Sequence, residues 1–264
     1  MTDMGVVVEK GFKIDPLTEL AIKHNTDKWG GHFYAPHYHR HFATLRDAEI
    51  NLLEIGIGGY DDPKLGGESL RMWRDYFPNG NIFGIDVVDK SIHEMDRIRT
   101  FKGSQVDNVF LDRVIRDIGR VDIIIDDGSH VNSHIIHSFK YLFPLLSENG
   151  IYVVEDLQTS YWESYGGSSF NMDRSRSAVN FFKSLIDCLN HQEIINPRYC
   201  STYFDKNIIS VSCYHNMVFV QKGQNNEGST CVVNNRRHRQ AESFFGYYRR
   251  LVQAKIAGLF PPRF

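Results

Sequence analysis

Apolar positions in the middle of the chain fall into short continuous runs. NLLEI at 51–55, NIFGID at 81–86, VDIIID at 121–126 and IYVVE at 151–155 each end at glycine or acidic residues. Runs of this length, bounded in this way, read as buried strands. Between them the period changes. ESLRMWRDYF at 68–77 sets Leu70, Trp73 and Phe77 at helical spacing, and HIIHSFKYLFPLL at 134–146 is amphipathic with a late proline. Short apolar strands alternating with helices predict a parallel sheet covered on both faces.

The later region differs. Residues 181–190 read as a helix, and 208–213 and 217–221 as strands joined by Tyr214-His215-Asn216. Strands that close together must be antiparallel, because a parallel crossover needs a dozen or more residues. A mostly parallel sheet ending in an antiparallel hairpin is the α/β, Rossmann-like pattern of Class I methyltransferases. Residues 223–235 are polar and read as a loop. The tail from 236 to 257 is helical in pattern and groups Phe244, Tyr247, Tyr248 and Leu251. That stripe suits the core or a partner subunit, with the arginines on a solvated face. A basic interaction helix is the alternative. No internal repeat is visible.

Composition narrows the function. The chain has 264 residues, 42% of them hydrophobic, which suits one large α/β domain with a well-buried core. Its 30 basic and 32 acidic side chains leave a formal charge of −2. That offers no electrostatic footprint for nucleic acid or an anionic membrane. Cys188, Cys200, Cys213 and Cys231 form no CxxC pair. They read as reduced residues of a cytoplasmic protein. The N-terminal apolar run is too brief for a signal peptide, and no segment approaches the length of a membrane span.

The first strand runs into closely spaced glycines, Leu53-Glu54-Ile55-Gly56-Ile57-Gly58-Gly59. Such a turn lets the backbone approach a nucleotide-like ligand outside the carboxyl ends of the strands. Glu54, Gly56 and Gly58 are therefore candidate cofactor contacts. The second strand ends at Asp86, 30 residues after Gly56, where a carboxylate can accept hydrogen bonds from ribose hydroxyls. The insertion at 61–67 accounts for the long spacing. Further on, the segment 103–107, with Gln105 and Asp107, is placed to close over an adenine. A set of tight turns with a helix cap is the other reading of these features.

Two acidic clusters follow strands: Asp126-Asp127-Gly128-Ser129-His130 and Glu155-Asp156. Parallel neighbouring strands would bring Asp127, Glu155 and Asp156 together, while Asp126 falls on the cofactor side. Carboxylates gathered in a cleft repel unless a cation sits between them. Oxygen ligands without cysteine favour Mg²⁺. A hydroxyl is a poor nucleophile; coordination to such a cation lowers its pKa, and His130, three residues after Asp127, is a candidate general base. Asp127 could instead cap the following helix, but Ser129 and Asn132 are equally suited to that task. His130 could also be a structural histidine.

These motifs resemble a known family. DKWGGHFYAPHYHRHF at 27–42, LLEIGIGGY, SLRMWRDYFPNGNIFGIDVVDK, IIIDDGSH and YVVEDLQTSYWESYGG at 152–167 look like the sugar O-methyltransferases of macrolide and related glycoside biosynthesis. The resemblance implies S-adenosylmethionine and Mg²⁺ as cofactors and a small-molecule glycoside as acceptor. It implies Asp127, Glu155 and Asp156 as metal ligands, His130 as base and Asp86 as ribose ligand. The N-terminal motif would fold over the cofactor, bringing Tyr34 and Tyr38 near the site, and assembly into a homo-oligomer would run through the N-terminal part. The implied organisation is a lid and oligomerisation segment at 1–45, a methyltransferase core at 46–223 and a helical extension at 224–264. His32, His37, His39 and His41 fit no zinc spacing. Tyr161, Trp162 and Tyr165 suit either stacking on a sugar or ordinary packing. Other readings share the fold: a hydroxylase-like or catechol-type O-methyltransferase relative, or a non-catalytic nucleotide-binding module.

Overall fold

The computed structural model describes residues 14–173, 176–194, 196, 198–229, 232–233, 236–237 and 244–259. In chain order the main elements are α1 (Pro16–His24), α2 (Ala35–Phe42), β1 (Asn51–Ile55), α3 (Glu68–Tyr76), β2 (Asn81–Asp86), β3 (Ile98–Lys102), α4 (Asn108–Ile118), β4 (Val121–Asp126), α5 (Asn132–Leu142), β5 (Leu146–Val154), α6 (Ala178–Leu189), α7 (Tyr203–Asn207), β6 (Ile208–Tyr214), β7 (Met217–Lys222), β8 (Val232–Val233), β9 (Arg236–Arg237) and α8 (Phe244–Leu259).

Seven strands form one sheet in the order β3-β2-β1-β4-β5-β7-β6. The pairs from β3 across to β5 are parallel, and β7 runs antiparallel to both β5 and β6. This is the mostly parallel sheet with a terminal hairpin that the strand pattern predicts. Chain order reverses between β1 and β4. A ligand crevice opens at such a switch point, beyond the carboxyl ends of the strands.

Each face of the sheet has its own apolar layer. On one side Leu111 and Val114 of α4, Phe139 of α5 and Phe182 of α6 pack on Leu53, Ile124 and Tyr152. On the other, Leu17 of α1, Tyr38 and Phe42 of α2 and Trp73 of α3 pack on Leu52, Ile123 and Phe219. In α3, Leu70, Trp73 and the neighbouring Met72 and Tyr76 are fully buried. Each contributes roughly 1.5–3 kcal/mol of apolar transfer. The N-terminal segment thus joins the core, and Tyr38 meets Trp73 edge-on with ring centroids 4.9 Å apart.

Several local expectations are corrected. The helix expected at 134–146 starts earlier, at Asn132, and gives way to a 3₁₀ turn at Phe143–Leu145, as Pro144 requires. Neither Ser129 nor Asn132 caps α5: Val131 occupies the cap position without a side-chain bond. Asn132 instead donates to the Thr159 and Tyr165 carbonyls, at 3.0 and 2.9 Å. The tail is not helical from 236. Arg236–Arg237 pairs with Val232–Val233, inside the stretch expected as loop, and α8 begins at Phe244. On α8, Tyr248 and Leu251 are exposed rather than buried in the core.

Among the described residues, Cys188, Cys200 and Cys213 are free thiols. Cys231 lies outside the described residues. No described helix is long and apolar enough to cross a membrane.

Candidate active site

The glycine turn after β1 has a specific steric cause. Gly56 sits at φ 90°, and a Cβ there would lie 2.1 Å from the Asp127 carbonyl oxygen. The loops after β1 and β4 cross at this point, tied by Asp127 N donating to the Ile55 carbonyl at 2.9 Å. Only glycine has both the conformation and the space. The crossing opens a cavity of about 620 Å³, lined by Gly56, Gly58, Asp86, Gly103, Ser104, Gln105, Asp127, His130 and Asp156 among others.

Asp86 closes β2. Its Oδ2 accepts from Ile57 N at 3.0 Å and its Oδ1 from Val88 N at 2.8 Å. These bonds orient the carboxylate at the cavity wall, where spare lone pairs remain for hydroxyl donors. Gln105 holds the opposite wall: its Oε1 accepts from Ser129 N at 2.9 Å, and its Nε2 donates to Asp126 Oδ1 at 3.1 Å.

Three expected cofactor contacts lie elsewhere. Asp126 is buried beneath the cavity, taking bonds from Ser138 at 2.7 Å and Tyr152 at 3.2 Å as well as from Gln105. Burial pushes its pKa up to about 6, against the pull of those hydrogen bonds. It therefore holds the wall from behind. Asp107 is a helix cap, accepting from Val109 N and Phe110 N at 3.0 and 3.1 Å. Its carboxylate is engaged by the N-terminus of α4, and Asp107 is not among the residues that line the cavity. Glu54 is fully buried under α3, accepting from Ser69 Oγ at 2.7 Å and Trp73 Nε1 at 3.2 Å.

Asp127, His130 and Asp156 each offer one ligand atom, and these atoms all lie within 4.8 Å of one another. His130 Nε2 is 3.8 Å from Asp156 Oδ2. Tyr34, placed at the site by the N-terminal motif, donates its hydroxyl to Asp156 Oδ1 at 2.8 Å. Burial, and then the Asp156 charge, hold that phenol protonated.

Glu155 is placed differently from its neighbour. Its Oε1 accepts from Lys28 Nζ at 2.6 Å and from the Tyr38 hydroxyl, and its side chain is only 2% exposed. Lys28 also contacts Asp127 Oδ2 at 2.9 Å and Glu54 Oε1 at 3.5 Å. Burial opposes the charge on Lys28, but the surrounding carboxylates outweigh it and hold its pKa well above the usual value. Burial and the Asp127 charge push Glu155 well up. Three carboxylates thus share one ammonium, and burial pushes the pKa of all three up, so their full ionisation calls for further positive charge next to the cavity. An octahedral Mg²⁺ with bonds of about 2.0–2.1 Å spaces its ligands roughly 3–4 Å apart. Asp127, Asp156 and His130 bring one ligand atom each within 4.8 Å of one another, so a small inward adjustment brings them to the spacing of such an ion. A direct bond from Glu155 would need its carboxylate to turn from Lys28 and Tyr38.

The sequence did not single out Lys28, and His32 figured there only among four histidines that fit no zinc spacing. His32 lines the cavity, stacks on Tyr34 and places Nε2 3.7 Å from Asp156 Oδ1. The only local signal was their place in the motif at 27–42; Lys28 stands 99 residues before Asp127. The other N-terminal histidines disperse. His39 meets the Tyr76 hydroxyl at 2.8 Å, while His37 and His41 pack against Tyr214. Among the described residues the four therefore form no metal cluster.

Sheet order, switch-point cavity and acidic strand ends together define the Class I methyltransferase fold. No family model matches the chain. It is 46% identical over 220 residues to mycinamicin VI 2''-O-methyltransferase of Micromonospora griseorubida, covering 83% of this chain and 55% of that protein. It is 45% identical over 214 residues to demethylmacrocin O-methyltransferase of Streptomyces fradiae, covering 80% of this chain and 54% of that protein. Among solved structures, MycE methyltransferase from the mycinamycin biosynthetic pathway in complex with Mg and SAH matches with a TM-score of 0.79 at 43% identity, over 93% of this chain and 60% of that chain. A complex of the same enzyme that also holds mycinamycin VI matches with a TM-score of 0.76 at 44% identity, over 84% and 58%. Across the matched residues the chain is a homologue of the sugar O-methyltransferases of macrolide and polyketide biosynthesis. It spans about half the length of the curated relatives it matches.

Proposed function

We propose that the protein is an S-adenosylmethionine-dependent, Mg²⁺-assisted O-methyltransferase acting on a hydroxyl of a deoxysugar or other sugar in a natural product or glycan. The observation that carries this reading is the convergence of Asp127, His130 and Asp156 on the cavity that Gly56, Gly58 and Asp86 line. The names of the relatives support sugar as the acceptor, and the bound Mg and SAH of the MycE complexes support the cofactors.

S-adenosylmethionine supplies an electrophilic methyl group, and a bound Mg²⁺ lowers the pKa of a hydroxyl held against it. The protein's own work is binding, orientation and proton transfer. Asp86 accepts from the ribose hydroxyls, the Gly56–Gly58 backbone admits the cofactor close to the sheet, and Gln105 closes the wall. Asp127 and Asp156 hold the ion on the cavity side. Glu155 completes the ligand set if its carboxylate turns outward. His130 Nε2 takes the acceptor's proton, and Asp156 steadies the imidazolium that results. The residues at 27–42 wall the site through His32, and the acceptor is a small-molecule glycoside. We further assign the chain to the cytoplasm as a homo-oligomer.

The test is methyl transfer from labelled S-adenosylmethionine with Mg²⁺ to glycosides, to a catechol and to no acceptor. Labelled glycoside and S-adenosylhomocysteine are expected with sugar acceptors alone, and excess chelator should abolish both. Turnover of catechol but not of sugars would move the protein to the catechol-type class. Nucleotide binding that is indifferent to Mg²⁺ and yields no S-adenosylhomocysteine would make it a binding module.

A further inference from the structure

Lys28 draws together residues from three strand ends. Its fully buried Nζ contacts Asp127 after β4, Glu155 after β5 and Glu54 on β1. The backbone that delivers it is fixed. Tyr34 N and Ala35 N both donate to the Lys28 carbonyl, at 3.0 and 3.1 Å, and Lys28 N donates to Thr26 Oγ1 at 3.2 Å. Desolvating an ammonium is costly, so it persists in a core only among close anionic partners.

The three partners are not equivalent. Glu54 has Ser69 and Trp73 as further donors, and Glu155 has Tyr38. Asp127 alone of the three opens to the cavity, with its side chain 22% exposed. Lys28 binds its Oδ2, which leaves the other oxygen for a ligand. The ammonium therefore stands on the inner side of the acidic cluster and Asp156 on the outer side. A dication entering the inner side would meet that charge at contact distance, and a low-dielectric interior magnifies the repulsion.

We propose that Lys28 is a positioning residue for the metal site: it fixes Asp127 towards the cavity and fills the inner half of the acidic cluster, so that a divalent cation is admitted only on the cavity side, where Asp127 and Asp156 present their oxygens. The inference rests on the reading of those two residues as metal ligands.

The experiment measures Mn²⁺ binding to the full chain by calorimetry and electron paramagnetic resonance, with S-adenosylhomocysteine binding as a check on the fold. The wild type is expected to bind one Mn²⁺. In Lys28→Met the inner carboxylates lose their resident cation. Mn²⁺ should then bind at least tenfold tighter, or a second ion should bind, while methyl transfer at saturating Mn²⁺ falls at least tenfold. A lysine that only supports the fold would lower thermal stability and leave Mn²⁺ affinity unchanged or weaker, and that result overturns the proposal. Should Lys28→Met fail to fold, Lys28→Met/Glu155→Gln removes one charge of each sign. It should bind Mn²⁺ at least tenfold tighter than Glu155→Gln alone; equal affinity overturns the proposal. A wild-type chain that binds no Mn²⁺ would fail differently, sinking the metal reading on which this one rests.

Discussion

The His130 imidazole and the Asp156 carboxylate face each other at 3.8 Å, and each belongs to a non-glycine residue held in the left-handed backbone region, at φ 56° and 55°. That conformation costs about 1–2 kcal/mol per residue. Strain of this kind persists only where the surrounding structure over-determines it, and it gathers at functional sites. Here it turns two loop side chains from separate strand ends towards one another across the cavity mouth.

His130→Ala should separate binding from chemistry. Affinity for S-adenosylhomocysteine, measured by calorimetry, is expected to stay within about threefold, because the glycine turn and Asp86 are untouched. The kcat for methyl transfer should fall by roughly 10²–10⁴, the range of a lost general base. Wild-type turnover in the variant would remove His130 from that role.

Asp127→Asn and Asp156→Asn should each raise the Mg²⁺ concentration for half-maximal activity by about tenfold or more, since each removes a charged oxygen donor from the cavity side. Glu155→Gln reports on the third carboxylate. A comparable rise would mean that it turns to the ion; a loss of thermal stability without that rise would leave it as the partner of Lys28. Metal activation curves together with melting temperatures distinguish the two.

Gly56→Ala should destabilise the protein by about 2–4 kcal/mol, since it combines a strained φ with an overpacked contact. Its Cβ would stand 2.1 Å from the Asp127 carbonyl oxygen, so the crossing loops must separate. A lowered melting temperature and weakened cofactor binding are expected together; a variant with neither would contradict the close approach.

The contact between α1 and α3 should be acid-sensitive. Burial alone would raise the Asp75 pKa, but hydrogen bonds from Lys23, Arg74 and His24 hold it well below the usual range. The unfolded chain then binds this proton more readily than the folded one, so the contribution is complete above the ordinary carboxylate pKa and is lost as pH falls through the folded value. Solvent screening limits it to about 1 kcal/mol or less. Asp75→Asn should therefore lower the melting temperature slightly at neutral pH and narrow its gap to the wild type below about pH 4. A gap that stays constant across the acid range would rule the linkage out.

Much of the fold was legible because its strands are short, apolar and buried on both faces. Leu52, Leu53, Ile123, Ile124 and Ile125 read as strand from pattern alone and lie in the sheet core. The edge strand at Ile98–Lys102 was missed: Arg99, Thr100 and Lys102 break its apolar run, because an edge has less to bury. Helices α1 and α2 were missed for a related reason. Pro16 and Pro36 open them, and in α2 the half-buried His37, His39 and His41 interrupt the apolar pattern around Tyr38 and Phe42.

The site divides along the same line. The sequence by itself determined which residues could do chemistry: the glycine turn, Asp86, Asp127, His130 and Asp156, each marked by standing at the end of a strand or within a few residues beyond it, where a parallel sheet must present its loops. Only the tertiary structure decided which carboxylates face the cavity and which are neutralised from within. Asp126 and Asp127 are adjacent in the chain, as are Glu155 and Asp156, yet one of each pair is buried beneath the site and the other opens to it. A strand turns successive side chains to opposite faces, and which face becomes core depends on the segment packed there. In this protein that segment carries Lys28, whose hydrogen bond to Asp127 spans 99 residues of chain that no local pattern can bridge.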